Sequence, residues 1–349
     1  MPSCPADLLH EIGLLPPPLH TPWVGAPSTN VLGDDAQQGG SGWPLFWYDP
    51  PWHYIPAAVA RQIVVAVDAL KIPTAVLGRD LGEDSIGDIL LGHTLTPYRP
   101  DRYGLQLSDL QSAAVVDVRL ARARDAAGRY AYSRAQVTRW QGGESETESQ
   151  PAGQESDWVP APGWPPELAN VDALAGKLNQ LRTISPTVRC AVSVTPYRIQ
   201  EELPSILAAH PDIVILRMDD SDEMTGVRMA AVIVAMLRVI RAHQRSADLW
   251  VVPPHEPTAD DCVKMYALGV AAIGIDWWCQ PLISNGLQRD NSGDPNAAFL
   301  TAASELLNQR TERITALVRS CGVETISQLS PKHLVTPSPT VAKRLGIGQ

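Results

Sequence analysis

The sequence is short of several things that would have pointed elsewhere. It holds two phenylalanines and five cysteines (Cys4, Cys190, Cys262, Cys279 and Cys321) in its 349 residues. No CxxC pair occurs, and no cysteine cluster has metal-ligand spacing. The odd count and the scatter suit reduced thiols in a cytoplasmic protein. Basic residues are in deficit, 28 Lys and Arg against 38 Asp and Glu, for a net charge of −10. That balance argues against a nucleic-acid surface or an anionic membrane as partner. No apolar run reaches the roughly 18–20 residues of a membrane helix. The best stretch, Met229 to Leu237, is short and lies between Arg228 and Arg238. The opening MPSCPADLLHEIG lacks the basic start and apolar stretch of a secretory signal. The Gly-Gly pairs at 39–40 and 142–143 begin no dinucleotide fingerprint or phosphate loop and read as turns. A soluble, cytoplasmic protein is expected.

What is present is a large apolar fraction, 44%, with 31 prolines and 10 tryptophans. Such a chain can bury a large core. Residues 1–42 are rich in Pro and Gly without a sustained period, and read as an extended lead-in that packs against a domain. WPLFWYD (43–49) is the first strand. Ala57 to Leu70 has apolar residues at helical spacing, and Pro73 to Leu77 is a short buried strand. AAVVDVRL (113–120) is apolar on both faces, as in a covered parallel sheet. ESETESQPAGQES (144–156) has no apolar face and reads as a mobile acidic loop. From 171 to 276 helices and strands alternate strictly, with strands at Arg189–Val194, Asp212–Leu216, Leu249–Val252 and Ala271–Ile275. Short connections and strict alternation imply a parallel sheet with helices outside. About seven strands are visible and an eighth fits between Leu90 and Leu105, so an α/β fold of the (β/α)8 TIM-barrel type is expected. Residues 297–319 form a long helix, and 336–349 read as a frayed tail.

Five segments, in order, resemble the FMN-binding barrel domain of the glutamate synthase family. They are YGLQLSDLQSAAVVDVRL (103–120), residues 158–194, PDIVILRMDD (211–220), VVPPHEPTADDCVKMYALGVAAIGI (251–275) and ITALVRSCGVETISQL (314–329). The resemblance implies an FMN-linked-oxidoreductase-like barrel over residues 43–335. In that family a Gly-Gly after one late strand, and a GFG after the next, offer backbone N–H groups to the flavin phosphate. Here those places hold Pro253 and Pro254, which have no N–H, and Gly274 followed by Ile275 and Asp276. The family's lysine position holds Ser193, and the cysteine triplet of its Fe–S cluster is absent. On these departures no cofactor is expected, neither FMN nor an Fe–S cluster.

Residues just past the strands of a barrel line its active face. That places Arg119, Ser193, Arg217, Asp219, Asp220, His255, Glu256 and Asp276 around one mouth, with Pro253, Pro254 and Gly274 as a degenerate phosphate site. Carboxylates opposed by arginines suit a polar small molecule. Asp219, Asp220, Asp222 and Glu223 have the oxygen chemistry of a Mg²⁺ or Ca²⁺ site, but DDSDE lacks the EF-hand spacing, so a solvated acidic loop is preferred and no metal is expected. His255 is a candidate general base, though a histidine in such a loop is more often a surface residue. Trp277 and Trp278 read as plugging the space a flavin would fill, or as covering the rim. The sequence therefore points to a divergent glutamate-synthase-like pseudoenzyme that binds a small molecule or a protein partner. The rival expectation is an active FMN-dependent oxidoreductase.

Overall fold

The computed structural model describes residues 8–18, 44–52, 55–82, 91–99, 105–120, 131–133, 158–160, 168, 170–219, 221, 223–243, 246–279 and 295–349. Its strands are β1 (Gly13–Leu14), β2 (Leu45–Phe46), β3 (Thr74–Ala75), β4 (Thr94–Tyr98), β5 (Val115–Arg119), β6 (Ala131–Ser133), β7 (Trp158–Pro160), β8 (Arg189–Val194), β9 (Ile213–Arg217), β10 (Asp248–Val252), β11 (Ala272–Gly274) and β12 (Leu334–Val335). Eight of them form one sheet in the order β2-β11-β10-β9-β8-β5-β4-β3. Every pair within it is parallel. A parallel bridge between Trp47 and Thr74 joins the two end strands, supported by Trp47 N–H to the Pro73 carbonyl at 2.8 Å. The sheet is thus a barrel, and β4 is the eighth strand expected between Leu90 and Leu105.

Alternation along each strand sorts the side chains into two layers. Phe46, Tyr48, Leu95, Val115, Ala191, Ile213, Ile215, Trp250, Val252 and Ala272 fill the barrel interior. Their neighbours in sequence, such as Val116, Val192, Val214 and Val251, face the outer helices. The inward series turns polar toward the strand ends. Val115 leads to Asp117 and Arg119, Ala191 to Ser193, and Ile215 to Arg217. An apolar plug therefore supports a polar mouth.

Helices cover the barrel at Ala57–Ala69, Leu174–Ile184, Ile199–Ala208, Gly226–Ala242, Ala259–Leu268 and Pro295–Ser320. Local signals set their ends. Thr258 caps Ala259–Leu268 by accepting the Asp261 N–H on its side chain, Asp261 accepts the Thr258 N–H in return, and Gly269 at φ 109° ends the helix in left-handed backbone. Strands β6 and β7 pair antiparallel on either side of residues 144–156, which lie outside the described residues.

The two ends of the described chain meet outside the barrel, against the helices Gly226–Ala242 and Ala259–Leu268. Strand β1 pairs antiparallel with β12. Leu8, Leu9 and Ile12 are buried, and the Leu9 N–H donates to Asp261 at 2.9 Å. The frayed tail expected at 336–349 is instead folded. Ser338 and Pro339 start a helix, Pro339–Leu345, closed by Gly346 in left-handed backbone, and its Arg344 carbonyl accepts from Arg238. Among the described residues no helix is long and apolar enough to cross a membrane.

Candidate functional site

The polar mouth is organised around Tyr48, which follows β2 and is completely buried. Its hydroxyl donates to Ser193 Oγ at 3.0 Å, and Ser193 donates in turn to Asp117 Oδ1 at 2.6 Å. Asp117 Oδ2 accepts from Arg119 Nε at 3.0 Å. Arg119 also donates to Asp49 Oδ1 at 3.0 Å and to the Tyr48 carbonyl at 2.5 Å. Its guanidinium carbon lies 4.1 Å from the Tyr48 ring centroid, and that of Arg217 lies 5.7 Å away. The segment after β2 and the strands β5 and β8 thus contribute to one connected hydrogen-bond network, with Arg217 of β9 beside it.

The second arginine is held separately. Arg217 Nε and Nη2 donate to the two oxygens of Asp219 at 2.7 and 2.9 Å, a bidentate grip. Asp276, just past β11, reaches back to β2. Its oxygens accept from the Tyr48 N–H at 3.2 Å and the Asp49 N–H at 2.7 Å. The last strand's loop is thereby tied to the first strand's loop across the closing side of the barrel.

Electrostatics follows from burial. Burial pushes the Tyr48 hydroxyl well above its usual range despite the nearby arginines. Burial also raises the Asp117 carboxyl, more than the Arg119 charge and the Ser193 hydrogen bond lower it. Arg119 is held more firmly protonated than a free guanidinium: burial opposes its charge, but Tyr48, Asp49 and Asp117 outweigh it. Asp49 goes the other way. Burial would raise it, yet Arg119, Arg99 and Arg217 together hold it below the ordinary carboxylate range. Asp276 is pushed up to about 7 by burial, with Asp49 and Asp219 adding repulsion and the two N–H donors only partly offsetting it.

The structure thus brings together Arg119, Ser193, Arg217, Asp219 and Asp276 from the sequence-derived set. Asp220 and Asp222 lie outside the described residues. His255 sits on the loop after β10, its ring 6.4 Å from that of Trp277. Glu256 turns outward to Arg310 at 2.5 Å, and Glu223 pairs with Arg228 at 3.0 Å. Pro253 and Pro254 are buried directly after β10. Trp278 is neither a plug nor a rim cover. It is buried in the shell outside the strands, with Nε1 donating to the Pro257 carbonyl at 3.0 Å. Trp277 is 39% exposed. Sequence reasoning missed Tyr48, Asp49 and Asp117. For Asp117 a signal existed: a carboxylate two residues before Arg119 in an otherwise apolar strand shares its inward face.

No protein-family model matches this sequence, and no curated protein matches it. Solved structures do resemble the fold. A Pediococcus acidilactici protein described as a lactate oxidase superposes with a TM-score of 0.56 at 12% identity, over 94% of this chain and 84% of that one. The flavin-binding domain of baker's yeast flavocytochrome b2 superposes with a TM-score of 0.52 at 11% identity, over 97% of this chain and 82% of that one. The (β/α)8 barrel expected from the sequence is the fold observed.

This likeness overturns the expectation that no cofactor is held, because the same barrel is a flavin-binding domain in one neighbour. The physical ground for that expectation is also weaker than it looked. Both oxygens of Asp276 accept backbone N–H groups, and burial favours its neutral form, which lessens its repulsion toward an anion. Gly274 is required by packing within the protein: a Cβ there would come within 3.3 Å of Val252 Cα and of Asp276 Oδ2. Two guanidiniums stand at the mouth, each already paired with carboxylates, where Pro253 and Pro254 supply no N–H donors. The suppressed charge of Asp276 and the guanidinium groups at the mouth are the features here compatible with a flavin mononucleotide.

Proposed function

We propose that this chain is a flavin-dependent oxidoreductase-type barrel, a divergent relative of the glutamate synthase FMN domain, which binds FMN at its mouth. The observation that carries the proposal is the shared fold, over nearly the whole chain, with a flavin-binding domain. Ser193 and Arg217 would face the ring system, and Gly274, His255 and the turn at Asp276–Trp277 would face the phosphate. A bound flavin supplies a redox centre for hydride or electron transfer. The chain's own contribution is positional. The network from Tyr48 to Arg119 fixes the floor of the site, and Asp276 is a carboxyl able to take or release a proton near neutral pH. The ligand on the other side of the flavin would be a small polar molecule.

Titration of the purified chain with FMN, followed by quenching of flavin fluorescence, tests this. Saturable binding is expected, weakened by Gly274→Val. No quenching up to about 100 μM FMN, where even a weak specific site would be filled, overturns it.

A second reading, a binding barrel without turnover, is favoured by one observation. Asp117, Asp219 and Asp276 each have both oxygens engaged within the protein. Anaerobic bleaching of the bound flavin by a 2-hydroxy acid or a reduced nicotinamide supports turnover. A bound flavin that none of these donors reduces supports the second reading.

A further inference from the structure

Three of the grips on Arg119 are unlike. Asp117 holds Nε and the Tyr48 carbonyl holds Nη2, and both partners are completely buried. The third grip, on Nη1, comes from Asp49, whose side chain is 44% exposed. Arg119 itself is 6% exposed. The guanidinium is thus a fixed planar fork, set into the barrel wall and backed by an aromatic ring, with its solvent-side edge met by a carboxylate that reaches water.

Asp49 sits where positive charge converges. Arg99 from the end of β4, Arg119 from β5 and Arg217 from β9 all act on it, and together they hold it ionised. Its neighbours of like sign, Asp219 and Asp276, are turned elsewhere: Asp219 onto Arg217, Asp276 onto the N–H groups of Tyr48 and Asp49. A carboxylate in this position has the geometry and charge of a bound ligand. It belongs to the loop after β2, so it can swing away without breaking the barrel ladder.

We infer that the mouth contains an oxyanion subsite on Arg119, occupied in the free protein by the chain's own Asp49 and vacated for the carboxylate or phosphate group of a small molecule. A planar guanidinium backed on one face and closed on two edges presents a carboxylate or phosphate with a matched pair of donors. Asp49, being tethered, competes at high effective concentration, so an external anion binds weakly until Asp49 is displaced. The subsite stands on this geometry whether or not a flavin is held.

The test is calorimetric titration of the full chain with inorganic phosphate and with acetate, in low-chloride buffer. Asp49→Asn removes the competing charge and keeps the side-chain shape. It should tighten both anions about tenfold or more, the scale of one charge-assisted contact. Adding Arg119→Gln should abolish the gain. Asp49→Asn and Asp49→Ala proteins with native circular dichroism that bind neither anion more tightly than the native chain would overturn the inference. Should neither variant fold, the native chain decides. Phosphate should then raise its melting temperature more than chloride at equal ionic strength, and equal effects would count against the subsite.

Comparing FMN with riboflavin separates the two sources of the anion. If FMN binds the native chain more tightly than riboflavin and Arg119→Gln removes that advantage, the oxyanion is the flavin's own phosphate. If the advantage survives while phosphate binding is lost, the subsite serves a separate ligand. A native chain that binds no flavin defeats the flavin reading alone, and the anion titrations still decide the subsite.

Discussion

Replacing Asp117 with alanine should destabilise the protein by about 3–5 kcal/mol, the cost of removing one partner of a buried ion pair. The structure indicates where that cost arises. Asp117 is completely inaccessible and accepts two hydrogen bonds, from Ser193 at 2.6 Å and from Arg119 at 3.0 Å. Its loss leaves a buried guanidinium with one carboxylate, Asp49, and one carbonyl, and a buried hydroxyl without its acceptor. An unmet buried hydroxyl alone costs about 1–3 kcal/mol. Asp117→Asn keeps one acceptor oxygen at the same place and should cost clearly less than alanine. Urea denaturation followed by tryptophan fluorescence measures both, with unchanged slope as the check that the transition is comparable. If Asp117→Ala costs no more than about 1 kcal/mol, the level of an exposed pair, then the network is not the support it is taken to be.

Three further outcomes are expected. Asp276 has its carboxyl raised from 3.8 to about 7 on folding, so its favourable contribution is complete below about pH 4 and lost as pH rises through 7; Asp276→Asn should therefore gain stability relative to the native chain at pH 8 compared with pH 5, and a pH-independent difference would contradict the assignment. Gly274→Ala places a methyl group 3.3 Å from Val252 Cα and Asp276 Oδ2, so it should cost about 1–3 kcal/mol by overpacking and shift the midpoint of that pH dependence. Asp261→Ala removes the acceptor of the Thr258 N–H in the capping box and of the Leu9 N–H; a loss of about 2 kcal/mol is expected, with faster proteolytic cleavage within residues 8–18, and unchanged cleavage would mean that the segment is held by its apolar contacts alone.

Much of the barrel was legible because its signals are local. The strand Arg189–Val194 was read to the residue, since CAVSV alternates between two buried faces and is bounded by turns. Thr94–Tyr98 was placed only as a gap to be filled, because TLTPY carries a proline and no run of branched residues. The site was legible on one side only. Arg119, Ser193 and Arg217 follow from strand ends, but Tyr48 and Asp49 gain their roles from a ring closure that joins β2 to β11, some 230 residues downstream. No local pattern encodes that meeting. The tail at 336–349 was misread although its signals were present: Ser338 and Pro339 are a start, and Gly346 a stop.

The meeting of β1 with β12 has a consequence for the order in which the molecule is made. Leu8, Leu9 and Ile12 are synthesised well before the groups that receive them: Gly226, whose N–H donates to the Leu8 carbonyl, then Asp261 and Lys264, and then the strand at 334–335. Leu9 and Asp261 are separated by 252 positions, so the segment must wait, apolar and unburied, while the barrel strands between them are made. The barrel can assemble its middle strands in sequence as they emerge. Residues 8–14 can be fastened only once the segments around 226, 261 and 334 have been made.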